Sequence, residues 1–162
     1  MTALEPLDKF FNRYRDVILF NKNLIITGAA GFFSGALGAQ LYSLYSNNSL
    51  ANAIVALLSE YGVDVPFFVI AHYMDNLDRY RDPITGKKNL SPFKQDIKKL
   101  VIAISSSEAA YAVTKIFKHY QFLHYSILPY QAAMASSLIG WTVFLVLVNV
   151  IGKRINLFRR LN

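Results

Sequence analysis

Apolar residues along this chain gather into four runs, at 24–45, 50–73, 100–122 and 128–152, and nearly every charge falls between or beyond them. Each run is long enough to cross a hydrocarbon core of about 30 Å as a helix, which takes roughly 20 residues. The pattern predicts an all-α integral membrane four-helix bundle. Ahead of the first run, Leu4, Leu7, Phe10, Phe11, Tyr14, Val17 and Ile18 recur at helical spacing, with Asp8, Lys9, Arg13 and Asp16 between them. The chain therefore divides into an amphipathic interfacial arm, 1–22, and a four-span domain, 23–162. Such an arm either lies flat with its apolar face among the lipid headgroups or packs on the ends of the bundle.

The charges orient the spans. Fifteen of the 17 basic residues lie in the arm, in the long connection between the second and third runs, and in the tail after the fourth. Only Lys115 and Lys118 lie toward the opposite side, and the turn Ser46-Asn47-Asn48-Ser49 carries no charge. The positive-inside rule then places both termini and the long connection in the cytoplasm, with the cell membrane as the expected location. Within that connection, Asp82-Pro83-Ile84-Thr85-Gly86 is a turn signature and predicts a solvated, hairpin-like link near anionic headgroups.

A hydrophobic share of 54% fits a membrane class. The net charge of +7 would suit nucleic acid, but no basic stripe is interleaved with exposed aromatics, so that partner is excluded. The absence of cysteine excludes disulfides, thiolate metal sites and a cysteine nucleophile. The N-terminal run mixes acidic and basic residues with no small-residue cleavage site after it, so no cleavable signal peptide is expected.

Gly28, Gly31, Gly35 and Gly38 are spaced by 3, 4 and 3 and share one helix face, which Tyr42 and Tyr45 continue. Gly31 and Gly35 form a GxxxG pair. Such a face lets another helix backbone approach closely where lipid supplies no hydrophobic drive. Ala132, Ser136 and Gly140 of the fourth run offer a counterpart inside the bundle. Homodimerisation, or docking of another membrane subunit, is the alternative use of this face.

Glu60, Asp64 and Glu108 lie inside the runs, where an ionisable group costs about 2.5 kcal/mol or more and is tolerated mainly with a partner or a task. Counting residues puts Asp64 and Glu108 at matching depth, with Glu60 one turn away from Asp64 on the same face. Carboxylates so spaced in low dielectric do not ionise together. Lys115 shares the Glu108 face and either compensates an acid or reaches for the interface. Ser105, Ser106, Ser107 and Thr114 add hydroxyls, and Pro66 removes a backbone donor and is expected to bend the second span. These are the materials of a polar intramembrane site; a hydrogen-bond network that only fixes helix register is the plainer alternative.

His72, His119 and His124 stand too far apart along the membrane normal to share a metal, and they suit interfacial positions. Asp75, Asp78 and Asp82 around Arg79 and Arg81 suit a solvated ion-pair cluster. No nucleophile elbow, HExxH or phosphate loop is present, so neither an enzyme nor a cofactor or metal centre is expected.

The chain forms two helical hairpins of similar plan, the second spans opening on Ala51-Asn52-Ala53 and Gln131-Ala132-Ala133. With Asn149-Val150-Ile151-Gly152-Lys153-Arg154 followed by Phe158, this plan resembles the GtrA-like family of small four-helix membrane proteins. The exit His72-Tyr73-Met74-Asp75 and the two acids of the second span depart from it. The resemblance implies carriage of polyprenyl-phosphate-linked sugars and makes Lys153 and Arg154 candidate phosphate contacts. The sequence thus supports a carrier or flippase-like module without catalysis, or a structural subunit of a larger membrane complex.

Overall fold

The computed structural model describes residues 5–82 and 85–157, and their side chains apart from those of residues 5–8 and 90. Leu4 of the arm, Pro83 and Ile84 of the turn, and Phe158, Arg159 and Arg160 of the tail lie outside the described residues, as do the side chains of Leu7 and Asp8. Four helices follow one another: α1 Glu5–Ser43, α2 Ser49–Asp75, α3 Leu90–His124 and α4 Pro129–Arg154, with a 3₁₀ turn at Leu77–Tyr80 before α3. Each of the four is long and apolar enough to cross a membrane. The all-α four-helix bundle is thus the fold.

Local chemistry sets the boundaries. The Asn48 side chain accepts from the Ala51 amide at 3.0 Å and caps α2. Asn89 accepts from the Ser91 amide at 3.1 Å and starts α3, while Pro129 opens α4 in the first-turn position that suits a missing N–H.

One helix, α1, runs through the expected boundary between arm and first span. Pro6 stands in its first turn and no further proline or glycine occurs before Gly28, so nothing breaks the backbone where polarity changes. Phe10 and Phe11 are exposed, whereas Phe20 is buried and Val17 packs on the same core as Ile155 and Leu157. Pro66 likewise leaves α2 continuous.

Antiparallel pairs α1–α2 and α3–α4 pack side by side, with α1 against α4 and α2 against α3, so the helices form a ring in chain order. The α2–α3 contact is the slightest of the four neighbouring pairs. Large apolar side chains such as Phe33, Leu37, Val113 and Val146 face outward, as lipid requires.

The basic end holds the start of α1, the end of α4 and the long connection; the hairpin end holds the turns α1–α2 and α3–α4. At the basic end, Asn21 and Asn149 exchange amide hydrogen bonds of 2.9 and 2.8 Å between α1 and α4. The connection closes as a small hairpin, with Arg81 bridged to Lys88, Asp82 N donating to Lys87 O at 2.8 Å, and Gly86 at φ +66°. Of the expected cluster of Asp75, Asp78 and Asp82 around Arg79 and Arg81, Asp75 and Arg79 pair with residues outside it. Asp75 pairs with Lys22 at 2.6 Å, and Arg79 pairs with Asp96 at 2.6 Å. The 3₁₀ turn folds Arg79 back toward α3, and Tyr80 donates to Asp96 at 3.2 Å beside the Tyr73 and Phe93 rings.

Candidate functional site

The glycine face of α1 meets α2 and draws it close. A methyl placed on Gly31 would stand 3.0 Å from Asp64 Cβ and 3.1 Å from Glu60 Cγ. One on Gly35 would stand 3.0 Å from Ala56 O and 3.3 Å from Lys115 Nζ. Gly38 lies against Ser59, while Gly28 lies under the Trp141 ring of α4. This face is therefore occupied within the chain. The small residues of α4 serve a different pairing: Gly140 lies 2.8 Å, measured from a notional Cβ, from the Tyr111 ring. Tyr42 is half-buried beyond the glycines, and Tyr45 is exposed.

The glycines let a charged cluster sit on the bundle axis. Lys115 forms an ion pair with Glu60. Both side chains are sealed, at 0% and 1% exposure. The Tyr111 hydroxyl donates to Glu60 Oε1 at 2.6 Å, and Ser137 Oγ donates to Oε2 at 3.3 Å. One turn toward the basic end, the Tyr61 hydroxyl donates to Glu108 Oε2 at 2.6 Å. Asp64 has Thr27 beside it, and its buried Oδ1 has no hydrogen-bond partner. Among the described residues, neither Asp64 nor Glu108 has a cation paired to it.

These acids border two neighbouring voids. A pocket of about 10 Å³, room for about one water, is lined by Glu60, Tyr61, Asp64, Glu108, Tyr111 and Trp141 among others. A larger cavity of about 200 Å³ lies between α2 and α3, where the helices touch least. Its walls are mainly apolar, with Phe68, Val69, Leu100 and Ile104 prominent. Asp64 and Glu108 stand at one end of it and His72 at the other. Val65, Val69 and Val101 line it and are also exposed on the outer surface, so it opens sideways toward lipid.

The sequence placed Glu60, Asp64, Glu108 and Lys115 in one polar site, and the fold brings all four together. Asp64 and Glu108 share both voids, as their matched depth implied. Lys115 compensates Glu60 rather than reaching the interface. Of the expected hydroxyls, Ser105 lines the larger cavity beside Glu108, whereas Ser106 is exposed and Ser107 donates to its own helix at Ala103 O, 2.9 Å. Tyr61, Tyr111 and Ser137 take that role, flagged in sequence only by hydroxyls within apolar runs. His119 is fully buried, not interfacial, because α3 continues past it to His124.

Lys153 and Arg154 are exposed at the end of α4. Lys153 is nine residues beyond the cavity-lining Phe144, roughly 14 Å along the axis, so the two basic residues do not border the carboxylates. Among the described residues, no group of three or more His, Asp or Glu is arranged to hold a metal ion. No family model matches the chain, and neither a curated protein nor a solved structure matches it.

Proposed function

We propose that this protein is a four-span membrane carrier for an amphiphile, with an apolar chain held in the α2–α3 cavity and a polar head held at Asp64 and Glu108. The observation that carries this reading is the cavity of about 200 Å³, open to lipid along α2 and α3 and closed by two carboxylates. Protein interiors leave few voids larger than a water, so a network built only to fix helix register has no use for such a volume. An apolar wall with a few convergent polar groups is the usual make-up of a small-molecule site.

Carboxylate oxygens accept hydrogen bonds, so the head they suit is rich in hydroxyls or positively charged. A phosphate at that depth would face two acids and no cation. If the cargo is a polyprenyl-phosphate sugar, as the GtrA-like resemblance implies, the sugar hydroxyls belong at Asp64 and Glu108. The phosphate belongs toward Lys153 and Arg154. The concentration of basic residues supports a cytoplasmic side for that end, with the cell membrane as the location.

Trp141, the single tryptophan, lines the small pocket and reports on it directly. A brominated alkyl glycoside titrated into the protein in lipid nanodiscs should quench Trp141 saturably. Asp64→Asn with Glu108→Gln should weaken that binding by tenfold or more while the protein stays folded. Quenching that rises without saturation and ignores both substitutions would sink the carrier reading.

A further inference from the structure

Beyond the acids that line the cavity, the bundle buries further polar groups on the hairpin side. His119 is 0% exposed, and neither ring nitrogen has a hydrogen-bond partner. It lies one turn from Lys115 on the same face of α3. Asn52 of α2 is also buried, and its Oδ1 is unpartnered while its amide donates to Ala39 O at 2.8 Å. The two residues share a level. Lys115 and Ala56 both meet Gly35, and each is followed one turn toward the hairpin end by His119 and Asn52 respectively. Buried polar groups without partners mark a place for water.

That level is reached from the surface. A vestibule of about 280 Å³ lies between the two hairpin turns, walled by Ser46, Asn47, Asn48 and Ser126, and it ends on Asn52 and Leu123. Leu123 is one turn beyond His119. In the other direction, Lys115 is paired with Glu60, Glu60 accepts from Tyr111, and the Tyr111 ring lies 6.3 Å from that of Tyr61, which donates to Glu108. From Glu108 to His119 is about 17 Å along α3, and from Asp64 to His72 about 12 Å along α2. Together these distances nearly match a hydrocarbon core of about 30 Å.

We propose that His119 is the gateway of a proton path that connects the hairpin-end vestibule to the buried carboxylates. A proton taken from vestibule water protonates the imidazole of His119. Lys115 gives a proton to the Glu60 carboxylate, and His119 restores it, leaving a neutral amine only in passing. Tyr111 and Tyr61 then link Glu60 to Glu108, with Asp64 facing the same pocket. Around this string α1 contributes Thr27, Gly31, Gly35 and Ala39, α2 contributes Asn52, Glu60, Tyr61 and Asp64, and α4 contributes Ser137; among the described residues, Lys115 is the charged group that acts on His119. The path supplies a coupling ion for the proposed carrier and rests on that reading for its use, not for its existence.

Infrared difference spectroscopy of the full chain in lipid nanodiscs tests it, following the carbonyl band of protonated carboxyls after a light-triggered pH drop. The wild type should gain this band, and Glu60→Gln should remove part of it. His119→Phe should keep the band's amplitude and slow its rise by tenfold or more. His119→Gln, which keeps hydrogen-bonding capacity without titrating, should be slow as well and decides the matter if the Phe variant does not fold. Equal rates in wild type and either folded variant, or no pH-dependent band, would overturn the path. A role for His119 in packing alone would lower stability and leave the rate unchanged. Lost Trp141 quenching with a normal proton rate would instead remove the carrier and leave the path standing.

Discussion

Lys115 of α3 and Glu60 of α2 form an ion pair on the axis of the bundle, and all four helices meet at it. Gly35 of α1 leaves room for the ammonium, Tyr111 of α3 and Ser137 of α4 donate to the carboxylate, and both charged side chains are sealed from outside. Taking two charges out of water is costly, and their attraction offsets that only when further hydrogen bonds satisfy the remaining lone pairs. Here Glu60 receives two, so the pair fixes both the register of α2 on α3 and the approach of α1.

Removing one partner strands the other. Lys115→Met should destabilise the protein by about 3–5 kcal/mol, because it leaves a buried, unpaired carboxylate. Replacing both, as Glu60→Met with Lys115→Met, should recover most of that loss, since an apolar pair of similar volume avoids the desolvation penalty. Unfolding in nanodiscs, compared across the two single variants and the double, checks this. A double variant no more stable than Lys115→Met alone would show that the pair is not the unit.

The glycines of α1 and α2 should respond oppositely to the same substitution. Gly35→Ala puts a methyl 3.0 Å from the Ala56 carbonyl, which is backbone and cannot step aside, so α1 and α2 must separate. Gly62 has nothing within 4 Å of its notional Cβ. Gly62→Ala should therefore raise stability by about 0.5–1 kcal/mol through the helix preference for alanine. Thermal midpoints that move downward for Gly35→Ala and upward for Gly62→Ala are the expected pair of results.

The fold was legible because run length alone distinguishes a membrane span from a core helix, and four runs met it. The continuity of α1 was not, because a change from charged to apolar residues marks an interface, while a bend needs a proline, a glycine or a displaced hydrogen bond. Glu60, Asp64, Glu108 and Lys115 stood out by their cost in lipid. Their pairing did not, because whether Lys115 meets Glu60 or Glu108 depends on how far α3 slides against α2. That offset is tied to contacts between α2 and α3 such as Tyr61 to Glu108 and Tyr111 to Glu60, which have no periodic signature. The cavity was equally hidden, since it reflects the slightness of one helix contact rather than any residue type.

Two ion pairs at the basic end, each 2.6 Å long, should differ in worth. Lys22 and Asp75 are partly exposed, with 42% and 24% of their side chains accessible, so Lys22→Ala should cost about 0.2–1 kcal/mol. Asp96 is buried and binds both Arg79 and Tyr80. Asp96→Ala should cost about 3 kcal/mol or more, because it leaves the guanidinium and the phenol without their shared acceptor. Added salt should weaken the first contact and leave the second nearly unchanged. Chemical denaturation at low and high ionic strength separates them, and equal salt sensitivity would contradict this assignment.

The cavity between α2 and α3 can be closed without touching the carboxylates. Val69 and Val101 line it from opposite helices, and both are also exposed toward lipid, so a larger side chain at either has somewhere to go if it does not fill the void. Phenylalanine adds several carbons over valine, and the cavity of about 200 Å³ has space for one such ring and much less for a ligand chain beside it. Filling a void restores dispersion contacts that its lining lacks. Val101→Phe should therefore leave stability unchanged or raise it by about 1 kcal/mol, within the range of cavity-filling substitutions. It should also weaken saturable quenching of Trp141 by a brominated amphiphile tenfold or more, with Asp64 and Glu108 intact. Val113→Phe, outside the cavity on an exposed position of α3, serves as the control. If Val101→Phe stabilises the protein and binding persists, the amphiphile reaches Trp141 by another route, and the α2–α3 cavity is a packing defect.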